Sequence, residues 1–417
     1  MRIAFCILAA LGALFGLGTC GAFAAPQSKP VLVYYLPWYA AKPFSHEWGW
    51  HWTMNHFHPD QVNASGEREI ASWYYPLIGP YDSADPAVLE YHVLLMKLAG
   101  IDGVIVDWYG SADYFDYAAV NQNTSKLFAY TCKAGLKFAI CYEDQTIQRL
   151  LDGHRLTPAD AIHHAQQEML YLQTHYFCEP SYFRLQGKPL LENFGPQYFL
   201  SSTNWAEMFS VLDATNRPTF LTEDNRLPAG VGAFEWPPMW LSQQPGTGGV
   251  LSEASLRNYL GDFEKKAADW PTFISSAFPR FHDIYQRAGV RDYWGYLGDR
   301  NGDTLRETLN RAWTNHSALV QIITWNDFGE GTTIEPTKEY GFRDLNLIQD
   351  LCRRQPGAQC RQLTNELASM FQFYQLRQKS ATNPPLAFAL NQVFTNIVSG
   401  QEETAFQKLG ELEAESP

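Results

Sequence analysis

The 417-residue chain is poor in charge: Asp, Glu, Lys and Arg together make up only 18% of it. Basic residues are the scarcer kind, 31 Lys plus Arg against 44 Asp plus Glu, for a formal net charge of -13. So acidic a chain is not drawn to a phosphate backbone, which excludes nucleic acid as a partner. No Cys-x-x-Cys pair occurs, which excludes a zinc knuckle, and no His-Glu-x-x-His occurs either. His46, His51, His56 and His58 crowd one region without ligand spacing, so no metal is expected. No glycine-rich loop follows an early apolar run, so a nucleotide phosphate has no cradle and no organic cofactor is expected. Beyond the N-terminus no apolar run approaches the roughly 20 residues of a spanning helix, so no membrane span is expected in the mature chain.

Residues 1–24 read as a signal peptide. Arg2 precedes an apolar run from Ile3 to Leu17, and Ala22-Phe23-Ala24 gives the small-x-small pattern before a cleavage site. The expectation is export, to a periplasmic or extracellular destination. Cys6 and Cys20 fall in that leader, leaving Cys132, Cys141, Cys178, Cys352 and Cys360. An odd number leaves at least one thiol unpaired or bridging to another chain. Cys352 and Cys360, close and polar-flanked, are the disulfide candidates. Cys132 and Cys141, in apolar contexts, read as buried thiols. Nothing in the sequence sets an oligomeric state.

What the chain does have is apolar bulk, 46%, enough to bury a large core and exclude global disorder. Eight short β-rich runs recur: Val31–Leu36, Gly103–Asp107, Lys137–Tyr142, Pro189–Asn193, Thr219–Glu223, Gly232–Trp236, Thr272–Ala277 and Val320–Trp325. Most are continuous rather than alternating, as parallel strands covered on both faces are. Helices separate most of them. Asp85-Pro86 and Gly100 bracket one; Thr157-Pro158, Ser252 and Asp303 start others. The pattern predicts an α/β fold, a (β/α)8 TIM barrel, with a doubly wound open sheet as the alternative. Only Asp224–Val231 separates the fifth and sixth runs, so the crossover after strand five is degenerate. Trp38–Ala84 forms a long first loop, in which the alternating Trp48, Trp50 and Trp52 suit a β-hairpin. The barrel domain is expected over 25–378, with a helical extension and an acidic tail over 379–417.

Aromatic residues make up 15%, including 13 Trp and 22 Tyr. Flat rings with a polar edge suit sugar faces, so an oligosaccharide or polysaccharide is the expected partner. In a barrel the site lies at the C-terminal ends of the strands. Acids and rings alternate there: Asp107-Trp108-Tyr109, Tyr142-Glu143-Asp144, Glu192-Asn193, Glu223-Asp224, Glu235-Trp236, His282-Asp283 and Trp325-Asn326-Asp327-Phe328-Gly329-Glu330. Asp327 and Glu330 stand three residues apart, and Gly329 and Gly331 let the backbone turn so that both face one cavity. Glycoside cleavage needs such a pair, one group to protonate the leaving oxygen and one to act on the opposite side. Tyr35, Trp38, Asp107, Trp108, Glu143 and Asn326 lie near strand ends and are expected to line the cleft.

Trp325-Asn326-Asp327-Phe328-Gly329-Glu330 resembles the strand-eight motif of glycoside hydrolase family 71, the fungal α-1,3-glucanases. Glu330-Gly331-Thr332-Thr333-Ile334-Glu335-Pro336 is similar to the corresponding stretch of glycoside hydrolase family 99, the endo-α-mannosidase and endo-α-mannanase type. Tyr34-Tyr35-Leu36-Pro37-Trp38-Tyr39 resembles that family's first strand, and Tyr75-Pro76-Leu77-Ile78-Gly79-Pro80-Tyr81 its next landmark. The stretch from Ala99 to Gly110 resembles its second strand, where the family usually has Ser in place of Asp107. The resemblance implies that Glu330 is the general acid and Asp327 its partner carboxylate. Family 99 normally has Glu there, acting on the substrate's 2-hydroxyl with net retention. In family 71 the Asp–Glu pair goes with inversion through an activated water, and both routes stay open here. The implied activity is that of an exported, endo-acting, metal-independent hydrolase of an α-mannan or α-glucan. A non-catalytic glycan-binding barrel is the alternative.

Overall fold

A computed structural model describes residues 29–355 and 366–415. The expected leader, Cys360 with its pairing to Cys352, and the tip of the acidic tail lie outside the described residues.

Each of the eight apolar runs contains a strand. These are β1 (Val31–Tyr35), β2 (Gly103–Trp108), β3 (Lys137–Tyr142), β4 (Lys188–Asn193), β5 (Thr219–Glu223), β6 (Gly232–Phe234), β7 (Ser275–Ala277) and β8 (Val320–Ile322). All pair in parallel, in the order β6-β5-β4-β3-β2-β1-β8-β7. A parallel bridge between Phe234 and Ile274 joins the two ends of that order. Gly232 makes the closure possible, because a Cβ there would lie 1.8 Å from the Thr272 carbonyl oxygen. The result is the expected (β/α)8 barrel. Every residue of β1 and β2 is buried, since the lumen covers one face and the helices the other.

Local sequence sets the helix ends. In α1 (Pro86–Ala99) the Asp85 side chain accepts from the Ala87 amide, proline takes the first position, and Gly100 at φ 81° closes the helix in the left-handed region. Helix α2 (Tyr117–Ala134) follows β2. Ser252 caps α3 (Glu253–Ala267) through the Ser255 amide. In α4 (Asp303–Thr314) the cap is Gly302, so Asp303 stands one residue inside the expected boundary and supplies first-turn negative charge instead. The short Asp224–Val231 connection holds no helix, as expected. Helix α5 (Glu366–Lys379) packs on α1, and Arg377 Nε meets Glu90 Oε2 at 2.7 Å. Helices α6 (Pro384–Val398) and α7 (Glu402–Ala414) follow, and their buried Leu390, Val393, Ile397 and Leu409 join the main core.

Two expectations are corrected. Trp48, Trp50 and Trp52 do not form a hairpin. The Trp52 and Thr53 amides bond the Gly49 carbonyl, closing a helical turn that sends the three rings apart. Trp52 is buried against Tyr39, Trp48 donates to Asp60, and Trp50 faces outward. Cys132 is exposed, because it sits on the outer face of α2 while Phe128 and Thr131 face inward; Cys141 in β3 is buried. Among the described residues no helix is long and apolar enough to cross a membrane.

Candidate active site

The segment after β8 is the centre of the barrel mouth. It folds back on itself: the Thr324 amide donates to the Thr332 carbonyl at 3.1 Å and the Glu335 amide to the Trp325 carbonyl at 2.9 Å. Inside this turn the Asp327 amide donates to Thr324 Oγ1, and the Glu330 amide donates to Asp327 Oδ1, both at 2.8 Å. Asp327 is thereby fixed with one oxygen engaged by the backbone of its partner acid. Gly331 lies at φ 67°, and a Cβ there would come within 2.7 Å of the His282 carbonyl, so glycine is required. The Gly329 and Glu330 carbonyls accept from the Ile284 and His282 amides, tying the loop after β7 to the same turn.

Both acids are perturbed in ways that separate them. Burial raises Asp327 to about 6, opposed by the amides of Glu330 and Gly329 and by Arg291. Burial, then the negative charge of Asp327, pushes Glu330 up to about 8, opposed by Arg291. Arg291 Nη2 lies 3.3 Å from Glu330 Oε1, and its guanidinium stacks over Tyr285 at 4.1 Å. At neutral pH the arrangement therefore holds a protonated Glu330 beside an ionised Asp327, the division that acid–base cleavage needs.

Three further carboxyls converge on this centre. Asp107 accepts from Tyr34 Oη at 3.0 Å and is hydrogen-bonded to Glu143. Burial and then Glu143 push Asp107 well above the carboxylate range, while burial raises Glu143 to about 7. Glu223 is raised by burial and by the charges of Asp224, Glu143 and Glu330. The remaining strand-end acids have other partners. Asp144 accepts from the amides of Gln197, Tyr198 and Phe199. Glu235 pairs with Arg311, Asp283 binds the Trp294 amide, and Glu192 lies deep in the lumen on Gln321.

Of the expected cleft residues, Asp107 senses the charge of Asp327 and is paired with Glu143. Trp38 lies at the edge of the mouth, stacked on His51 at 3.9 Å and 6°, beside Tyr109. Tyr35, Trp108 and Asn326 turn away from the lumen, correcting their assignment to the cleft. Side chains alternate along a strand, so with Tyr34 and Asp107 pointing inward, Tyr35 and Trp108 point out. Tyr35 Oη meets His92 Nδ1 at 2.9 Å, and Trp108 stacks on Tyr171. Asn326 bonds both the amide and the carbonyl of Leu36 and the Tyr81 hydroxyl. Tyr34, Glu223, Tyr285 and Arg291 complete the centre. The sequence signal for the last two was their position just after the seventh apolar run. His46, His56 and His58 are exposed and apart from His51. Among the described residues no group of three or more His, Cys, Asp or Glu side chains is arranged to hold a metal ion.

Residues 26–216 match the family model of glycosyl hydrolase family 99. The chain is 32% identical to the glycoprotein endo-α-1,2-mannosidase of Rattus norvegicus over 340 residues, covering 74% of this chain and 68% of that protein. The Mus musculus protein of the same name is 23% identical over 330 residues, covering 72% and 66%. The chain thus spans about two thirds of the length of these relatives. Among solved structures, the GH99 endo-α-mannosidase of Bacteroides thetaiotaomicron has the same fold, with a TM-score of 0.56 and 21% identity over 77% of this chain and 95% of that one. Of the two family resemblances, these comparisons carry the family 99 one.

Proposed function

This chain belongs to glycosyl hydrolase family 99, and from that premise we propose that it hydrolyses internal α-mannosidic linkages of a glycan. The observation that carries the reading is the carboxyl pair after β8, tied together by the Glu330 amide on Asp327 Oδ1, with burial raising both and raising Glu330 the further. Glu330 donates its proton to the glycosidic oxygen as that bond breaks. Asp327 acts as the base on the opposite side. It is one methylene shorter than Glu, a reach shortened by about 1.5 Å. A carboxyl set back by that distance leaves room for an activated water, so the expected course is inversion. Asp107 and Glu143, both raised by burial, offer polar partners to sugar hydroxyls. The names of the rat, mouse and bacterial proteins support α-mannoside as the substrate class. The proposal includes export after cleavage near Ala24, which intact mass of the secreted protein tests.

The deciding experiment is incubation with α-mannans, α-glucans and glycoprotein glycans, with released sugars followed by NMR and a chelator control. Internal cleavage of an α-mannan with the inverted anomer appearing first, unaffected by chelator, is expected. Absence of turnover on every α-mannan would refute the activity, and a retained anomer would replace the water by the substrate's own hydroxyl.

A further inference from the structure

A cavity of about 490 Å³ is lined by residues that follow three neighbouring strands. Its walls are Gly195–Gln197 after β4, Glu223–Leu227 after β5 and Trp240 after β6. All three segments leave the C-terminal ends of their strands, so the cavity belongs to the barrel mouth. Glu223 joins it to the chemistry, lining the cavity while its carboxyl senses the charges of Glu143 and Glu330.

Trp240 is 38% exposed, yet it is held in place. Tyr259 meets its ring at 5.5 Å and 85°, and the Tyr259 hydroxyl donates to Asp224. Asp224 is itself fixed, its amide donating to the Phe234 carbonyl at 2.8 Å. A second cavity, of about 430 Å³, flanks the same indole and is lined by Asn225 and Asn258. An exposed ring that is already immobilised loses little freedom when a ligand covers it. Its apolar face suits the C–H face of a pyranose, while Gln197, Asn225 and Asp224 supply hydroxyl partners. On the other side of the mouth, a cavity of about 860 Å³ is lined by Trp38, Trp50 and Phe115, from the loops after β1 and β2. In an eight-stranded ring β1 and β2 stand opposite β5 and β6, so the two cavities flank the catalytic centre from opposite sides.

We infer that Trp240 forms a distal subsite that stacks a neutral hexose unit of the substrate chain, several residues away from the bond that is cut. The inference rests on the proposed function and deepens it, because a chain gripped on both sides of the acid pair is cut internally.

Trp240→Ala, Trp240→Phe and the unaltered protein are compared on α-mannan oligosaccharides of increasing length, reading kcat/KM at each length. The alanine variant should lose progressively more as the chain lengthens, reaching roughly 10-fold on the longest, and phenylalanine should recover most of it. Calorimetric titration in a Glu330→Gln background should show the same length dependence in affinity. Equal loss at every length, or none at any, overturns the subsite and leaves the activity standing. An unaltered protein that cleaves no α-mannan of any length sinks both. Should Trp240→Ala not fold, judged by circular dichroism, Trp240→Leu and Asn225→Ala are judged by the same length criterion.

Discussion

At the scale of single residues, an acid and a base of the same chemical type must be told apart by their surroundings. Burial raises both Asp327 and Glu330, but amide donors restrain Asp327 while the Asp327 charge drives Glu330 higher. In the proposed mechanism the working form has Asp327 ionised and Glu330 protonated. Activity should therefore rise as pH passes about 6, where Asp327 loses its proton, and fall as it passes about 8, where Glu330 does. A kcat/KM profile on α-mannan from pH 4 to 10 checks this, and a flat profile across that range refutes the assignment. Mutation separates the roles. Glu330→Gln should lose on the order of 10²–10⁴ in rate on polymer, and much less on aryl glycosides whose leaving group needs no proton. Asp327→Asn should impair both substrates alike. Equal impairment by Glu330→Gln on both would remove it from the acid role.

At the scale of elements, the catalytic turn is held by its neighbours more than by its own strand, which ends at Ile322. Asn326 is the main tie. Its side chain bonds the Leu36 amide at 2.9 Å, the Leu36 carbonyl at 3.0 Å and the Tyr81 hydroxyl at 3.0 Å, and Tyr81 in turn donates to Glu335 at 2.7 Å. Asn326→Ala removes the side-chain partners of the Leu36 amide and carbonyl, at a cost of roughly 2–4 kcal/mol in stability. Because Asn326 faces away from the lumen, kcat should fall through misplacement of Asp327 while KM changes little. Urea unfolding with steady-state kinetics tests both, and a KM effect without a kcat effect would restore Asn326 to the cleft. The same residue shows what the sequence made legible. The strands were readable because most are continuous apolar runs, and continuity is the mark of a strand buried on both faces. That same continuity conceals which side chains point inward: in Val31–Tyr35 or Gly103–Trp108 no polar alternation marks the lumen face, so Tyr35 and Trp108 read as well as Tyr34 and Asp107. The acid pair was legible because its spacing and glycines are local. Arg291 and Tyr285 reach it only through the loop after β7, whose anchoring to the Gly329 and Glu330 carbonyls is tertiary.

At the scale of the molecule, carboxyls accumulate in one barrel mouth of a chain with a net charge of -13. Burial raises Glu143 to about 7, Glu192 to about 8 and Glu330 to about 8, far above an unfolded glutamate. The folded state therefore binds more protons than the unfolded state between the ordinary carboxylate range and about pH 8. The stability so gained is complete below the unfolded pKa and is lost as pH rises through the folded values. Tm should thus decline from pH 5.5 to pH 8.5, a window in which many proteins are near their optimum. Glu330 carries part of that penalty, since the raised proton affinity is what would make it the donor in the proposed reaction at neutral pH. Glu330→Gln replaces it with a side chain of nearly the same shape that never ionises. At pH 5.5 the folded Glu330 is protonated while the unfolded carboxyl is already ionised, so only part of the penalty is present and the change should raise Tm much less than at higher pH. At pH 8.5 the native carboxyl is largely ionised beside Asp327, and the substitution should raise Tm by roughly 2–5 °C while abolishing most turnover on polymer. Calorimetry of both proteins at the two pH values tests it. A fall in Tm at pH 8.5 would mean that the pairing with Arg291 outweighs repulsion from Asp327, and that Glu330 is held as an anion rather than as the proton donor.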